Sequence, residues 1–169
     1  LSSAMEETGR FITSNENLNK LQANIVRSQQ ANMISIPTDC PQRERAGWLG
    51  DIQVFTPTAA FNANVDAFLT SWLNSVTLEQ LGDGQVPFIV PYLDAYREQI
   101  GDEGFFGTNS SACWGDAAVI VPYVLYKKYG DIRILEDCRR ALAFLPPPMG
   151  EGRGGGQSNP IPVDYVLHQ

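Results

Sequence analysis

The chain has 169 residues, with 12 Lys and Arg against 19 Asp and Glu, a formal net charge of −7. Hydrophobic residues make up 43% and charged residues 18%, which excludes wholesale disorder. The acid excess argues against nucleic acid or an anionic membrane as main partner, and no run of about 18 apolar residues exists to span a bilayer.

Leu18, Leu21, Ile25 and Ser28 fall at helical spacing and predict a first helix over 14–30, with Ser14 or Asn15 as N-cap. A second helix is expected after Asp51, carrying Ile52, Phe55, Ala59 and Ala60, with Pro57 kinking it or splitting it in two. The third is the clearest: Val65, Phe68, Leu69, Trp72, Leu73 and Val76 form one apolar stripe, closed off by Gly82-Asp83-Gly84. Trp72 on that stripe reads as core.

Residues 83–113 read as a long aromatic-bearing loop, with a helical turn around 93–99. A fourth helix starts near Gly115 or Asp116, carries Ala118, Val121, Leu125 and Tyr129, and ends at Gly130. A fifth covers 132–145 with Leu135, Cys138, Leu142 and Leu145 on one face. The stretch 146–162 has five prolines and five glycines and suits a surface loop or lid. The expected class is all-α.

Leu1 is not a methionine, and the sequence stops at Gln169 without a helix stop or polar tail, so both ends read as cuts through a longer polypeptide. The sequence assigns no compartment. Cys40, Cys113 and Cys138, spaced by 73 and 25, match no zinc pattern and read as three separate thiols.

The chemistry concentrates in Ile36–Asp51. Within 13 residues it sets Asp39, Glu44 and Asp51 beside Arg43, Arg45 and Trp48, with prolines and glycines that keep most of it out of regular structure. A solvated charged loop is the plain reading. The mixture also suits a polyhydroxylated ring, whose C–H face stacks on an aromatic while its hydroxyls meet charged groups. A carboxyl kept protonated by like-charged neighbours is what a glycosidase general acid requires. A metal is disfavoured: spacings of 5 and 7 between the carboxylates do not fit a calcium loop, and two arginines bring positive charge.

The string Thr38-Asp39-Cys40-Pro41-Gln42-Arg43-Glu44-Arg45-Ala46-Gly47-Trp48-Leu49-Gly50-Asp51 resembles the signature of α-L-rhamnosidases of glycoside hydrolase family 78. Asn15-x-x-Leu18-Asn19-x-Leu21 upstream is similar to the helix entering that catalytic domain. Thr58-Ala59-Ala60-Phe61-Asn62, Trp72-Leu73 and Cys113-Trp114-Gly115-Asp116-Ala117 downstream extend the likeness, which covers about residues 5–145.

The resemblance implies an (α/α)6 barrel of the six-hairpin glycosidase type, incomplete in this chain, with 1–169 a piece of one catalytic domain. It implies a hydrolase that removes terminal α-L-rhamnose from glycosides or polysaccharides by inversion, one acid and one base flanking the sugar, with no cofactor. Glu44 resembles the general acid. Asp39, Arg43 and Asp51 resemble groups that hold the rhamnose hydroxyls, and Trp48 the wall for its apolar face, with Trp114 and Asp116 a second part of that wall.

Each has a plainer reading. Trp48 and Trp114 could be core, and Asp51 and Asp116 could cap the second and fourth helices. The family's general base lies far downstream, and neither Glu136 nor Glu151 matches it. Arg27 stands where relatives often carry an aromatic, and His168 is too near the end to interpret. The expected partners are a rhamnose-containing glycoside or oligosaccharide, the remainder of the barrel, and a second copy of the chain; neither nucleic acid nor membrane is expected. The alternatives are a related helical-barrel glycosidase acting on another sugar, and a non-catalytic carbohydrate-binding or assembly module.

Overall fold

The structure, a computed structural model, describes residues 3–82, 84–92 and 110–143, the last four by backbone alone. The expected turn around 93–99 and the Pro/Gly-rich stretch 146–162 lie outside the described residues, as do the side chains of Leu142 and Leu145. Among the described residues five helices are longer than two turns: α1 (Glu16–Asn32), α2 (Leu49–Asn62), α3 (Asp66–Leu78), α5 (Ala117–Tyr129) and α6 (Arg133–Ala143), with a single turn, α4 (Ala112–Gly115), before α5. Among the described residues β-structure amounts to three isolated bridges. No described helix is long and apolar enough to cross a membrane.

The α2–α5 pair is central, with α3 and α6 packed against α5. Their shared core holds Leu49, Ile52, Ala59, Leu69, Trp72, Val121 and Leu125. The α3 stripe faces it as expected, and Trp72, only 2% exposed, donates its indole N–H to the Val90 carbonyl at 3.0 Å. Small residues at Ala59, Ala60, Ala117 and Ala118 bring the helix backbones close. At its end Gly130 takes the left-handed conformation (φ 77°) expected of it. The Tyr129 hydroxyl accepts the Val65 N–H at 2.9 Å, so the start of α3 is held by a side chain from the end of α5.

Four expectations change. First, α2 begins at Leu49, before Asp51, because the Leu49 N–H bonds the Phe88 carbonyl and the Val90 N–H bonds the Gly47 carbonyl, both at 2.9 Å. Long-range pairing draws Trp48 into the cap position and Asp51 into the first helical turn. Second, of the two outcomes expected at Pro57 the split does not occur: α2 is one helix across it, with its ring on an exposed face while flanking Thr56 and Ala59 are buried on the core side. Packing on the core outweighs the one main-chain hydrogen bond that proline removes.

Third, Leu18 and Leu21 on α1 are exposed, and the face that meets α2 is polar. Gln29, 3% exposed, donates to the Ala59 carbonyl at 3.2 Å and accepts from Asn62 Nδ2 at 2.9 Å; Gln22 Nε2 donates to Asn62 Oδ1 at 2.8 Å. Asn15 caps α1 by accepting the Asn17 N–H. Fourth, part of the long loop is core: Val86, Phe88, Ile89 and Val90 are all buried, and a cis Val90-Pro91 bond follows. The three cysteines are free thiols.

Candidate active site

The segment between α1 and α2 is a closed loop. Asp39 N–H donates to the Ala46 carbonyl and the Ala46 N–H donates back to Asp39 Oδ1, both at 3.0 Å. One carboxylate oxygen of Asp39 therefore ties the loop shut. The chain returns through Arg45 at φ 55°, a left-handed conformation that costs a non-glycine residue about 1 kcal/mol or more. Beyond it Gly47 passes so close to residue 90 that a Cβ would sit 1.9 Å from the Val90 carbonyl oxygen, and Trp48 pairs with Ile89 in an antiparallel bridge.

At the loop's apex Glu44 is held from three sides. Its N–H points at Cys40 Sγ (3.1 Å), its Oε1 pairs with Arg43 at 2.8 Å, and its Oε2 accepts the Trp48 indole N–H at 2.9 Å. The Arg43 side chain is 84% exposed, so that ion pair is weak, whereas the Trp48 bond comes from a half-buried ring packed on Ala46, Phe88 and Ile89. Trp114 of α4 meets Phe88 edge to face, centroids 5.5 Å apart, and packs against the same cluster. Gly50 lets it in: a Cβ there would sit 2.9 Å from Trp114 Nε1.

These groups frame a cleft of about 720 Å³ between the end of α1, the loop, the start of α2 and α4. Its walls include Asp39, Trp48, Asp51 and Trp114, together with Thr38, Gln53, Phe55 and Cys113. Burial, then the negative charge of Asp39, pushes the Asp51 carboxyl above its ordinary value; the Asp51 backbone N–H opposes this, and Glu44 adds to it. The three carboxylates are thus one electrostatic group beside two indoles. Among the described residues no set of three His, Cys, Asp or Glu side chains is arranged to hold a metal.

Residues 6–143 match the model of the bacterial α-L-rhamnosidase six-hairpin glycosidase domain. The chain belongs to this rhamnosidase family. It is 44% identical over 136 residues to an α-L-rhamnosidase of Formosa agariphila, covering 80% of this chain and 14% of that protein. It is also 44% identical over 172 residues to an α-L-rhamnosidase of Streptomyces avermitilis, covering 94% of this chain and 16% of that one. The crystal structure of the Streptomyces avermitilis α-L-rhamnosidase complexed with L-rhamnose superposes with a TM-score of 0.74 at 39% identity, over 85% of this chain and 13% of that one. The native Aspergillus terreus enzyme gives 0.73 at 39%, over 85% and 16%. The chain thus spans about one-seventh of the curated relatives' length, and its helices form part of an (α/α)6 barrel.

Within this rhamnosidase domain the structure brings together most of the residues carried over from the family signature. Asp39, Trp48, Asp51 and Trp114 share the cleft, and Glu44 is joined to it through Trp48. Arg43 points to solvent and touches the group only through Glu44. Asp116 is exposed, stands at the junction of α4 and α5, and does not line the cleft; its carbonyl accepts the Val119 and Ile120 N–H groups, and its side chain makes no capping bond. Asp51 is a first-turn residue of α2 rather than its cap. Gln53 and Thr38 enter the cleft without any signal in composition or spacing; Gln53 lies one helical step from Gly50 along α2.

Proposed function

We propose that this chain supplies the acid side of an inverting α-L-rhamnosidase site, with Glu44 as the general acid. The observation that carries the reading is the cleft that brings Asp39 and Asp51 beside two indoles, with Glu44 joined to it through the Trp48 N–H and all three carboxylates interacting at Asp51. Trp48 and Trp114 form a wall for the apolar face of the sugar, and Asp39 Oδ2 and Asp51 accept hydrogen bonds from its hydroxyls.

Both Glu44 oxygens accept hydrogen bonds, from Arg43 and from Trp48. To act as an acid, Glu44 keeps the Trp48 bond and exchanges the exposed Arg43 contact for its own proton, which then passes to the leaving glycosidic oxygen. Water enters from the opposite face, activated by a carboxylate base that the reading places outside this chain, so the 169 residues alone are expected to be inactive. Exposed Leu18 and Leu21 on α1 and Val54 and Phe61 on α2 offer apolar surface to further barrel helices.

The test is hydrolysis of α-L-rhamnosides by the longest polypeptide that contains this sequence. Glu44→Gln is expected to lower turnover of an alkyl rhamnoside by about 10²–10⁴. It should cost much less for an aryl rhamnoside whose leaving group needs no proton. Equal losses on both substrates, or no loss on the alkyl one, defeat the assignment.

A further inference from the structure

Two buried polar atoms of the cleft have no hydrogen-bond partner among the described residues: the Trp114 indole Nε1 and Gln53 Oε1. One is a donor only and the other an acceptor only, so they are complementary. Both residues line the same cleft. Trp114 Nε1 lies 2.9 Å from where a Cβ on Gly50 would stand, and Gly50 and Gln53 are one helical step (i, i+3) apart on α2, about 5–6 Å between their Cβ positions. Side chains on a helix lean toward its N-terminus, which directs the Gln53 amide back over Gly50 toward the indole.

An unpaired buried donor and an unpaired buried acceptor each carry a desolvation cost that a single rotation of the Gln53 side chain removes. We propose that Gln53 is a positioning residue for Trp114: its Oε1 accepts the indole N–H and fixes the ring as a wall of the cleft. The absence of a Cβ at Gly50 is part of the device, since it lets the indole ring lie against α2 one helical step from Gln53. Phe88 meets the ring in a single edge-to-face contact, and the Gln53 bond adds a polar anchor to it. The role of this wall in holding a sugar rests on the rhamnosidase reading above, whereas the bond itself does not.

The experiment therefore has two readouts in the longest polypeptide containing this sequence. The first is the ultraviolet resonance Raman band of indole that reports hydrogen bonding at Nε1, taken as the difference between Gln53→Leu and the parent protein. A shift toward the unbonded position is expected, and the same substitution in a Trp114→Phe background should give none. The second is L-rhamnose affinity by calorimetry. Gln53→Leu is expected to weaken it about fivefold, Gln53→Glu, which keeps an acceptor, to restore most of it, and Gln53→Leu in the Trp114→Phe background to add nothing. No Raman difference, or an equal loss with and without the indole N–H, overturns the proposal. If the parent protein binds no rhamnose while the Raman difference persists, the bond stands and the sugar-binding reading falls.

Discussion

Replacing Gly50 by alanine sets two effects of known sign against each other. Gly50 sits in the first turn of α2 with an ordinary helical backbone, so a methyl group there improves helix propensity by up to about 1 kcal/mol. The same methyl would lie 2.9 Å from Trp114 Nε1, 3.0 Å from Cε2 and 3.1 Å from Cδ1, well inside the roughly 3.5–4.0 Å of an unstrained contact. The indole must therefore move by about half an ångström, in a packed cluster that includes Phe88. Overpacking of that kind costs about 1–3 kcal/mol, so it outweighs propensity and the net change is a destabilisation of roughly 0–3 kcal/mol. Function should suffer more than stability, because the displaced ring is a wall of the cleft; L-rhamnose affinity is expected to fall about tenfold. The assay pairs the thermal midpoint with calorimetric titration of L-rhamnose, and Gly82→Ala serves as control, since nothing lies within 4 Å of its Cβ position. A higher midpoint with unchanged affinity for Gly50→Ala would show that Trp114 does not press on this helix turn.

Gly47→Ala meets main chain instead of a side chain, 1.9 Å from the Val90 oxygen, and should cost about 3 kcal/mol or more, seen as a sharply lower thermal midpoint or loss of soluble protein. Asp51→Asn should raise the midpoint at pH 7: the folded-state pKa of Asp51 lies above the ordinary 3.8, so its ionised form weakens the fold once pH exceeds that raised value. The stability linked to its proton is fully present below 3.8 and is lost as pH rises through the raised folded value, so the advantage of Asn should vanish below that window in a pH series of melts. Asn62→Ala leaves Gln22 and Gln29 without their amide partner and should cost about 1–3 kcal/mol, with faster hydrogen exchange confined first to α1.

Much of the fold is legible along the chain where one element meets one core. The α3 stripe and the Gly130 stop follow from local pattern alone, and both are found where spacing puts them. Reading fails where the partner is remote. The start of α2 is set by hydrogen bonds to Phe88 and Val90, and periodicity within 49–62 carries no trace of them. Likewise α1 reads as apolar at Leu18 and Leu21, yet it meets α2 through Gln22 and Gln29, because glutamine at helical spacing looks the same whether it faces water or another amide. The Asp39–Asp51 string announces its chemistry by residue type, whereas the membership of Trp114 in the cleft came only from resemblance. Asp116, carried over beside it, lies outside the cleft: two residues apart in sequence, they face different ways across the break between α4 and α5.

The hydrogen bonds from residues 47 and 49 to residues 88 and 90 have a temporal consequence. Synthesis delivers the loop bearing Glu44 well before the stretch that anchors it, with all of α2 and α3 in between. Until Phe88 and Val90 have left the ribosome, Gly47 and Leu49 lack their main-chain partners and Trp48 lacks the surface that presents its indole to Glu44. Glu44 is therefore made before the residues that anchor its loop and takes its final place only when the intervening helices fold back upon it.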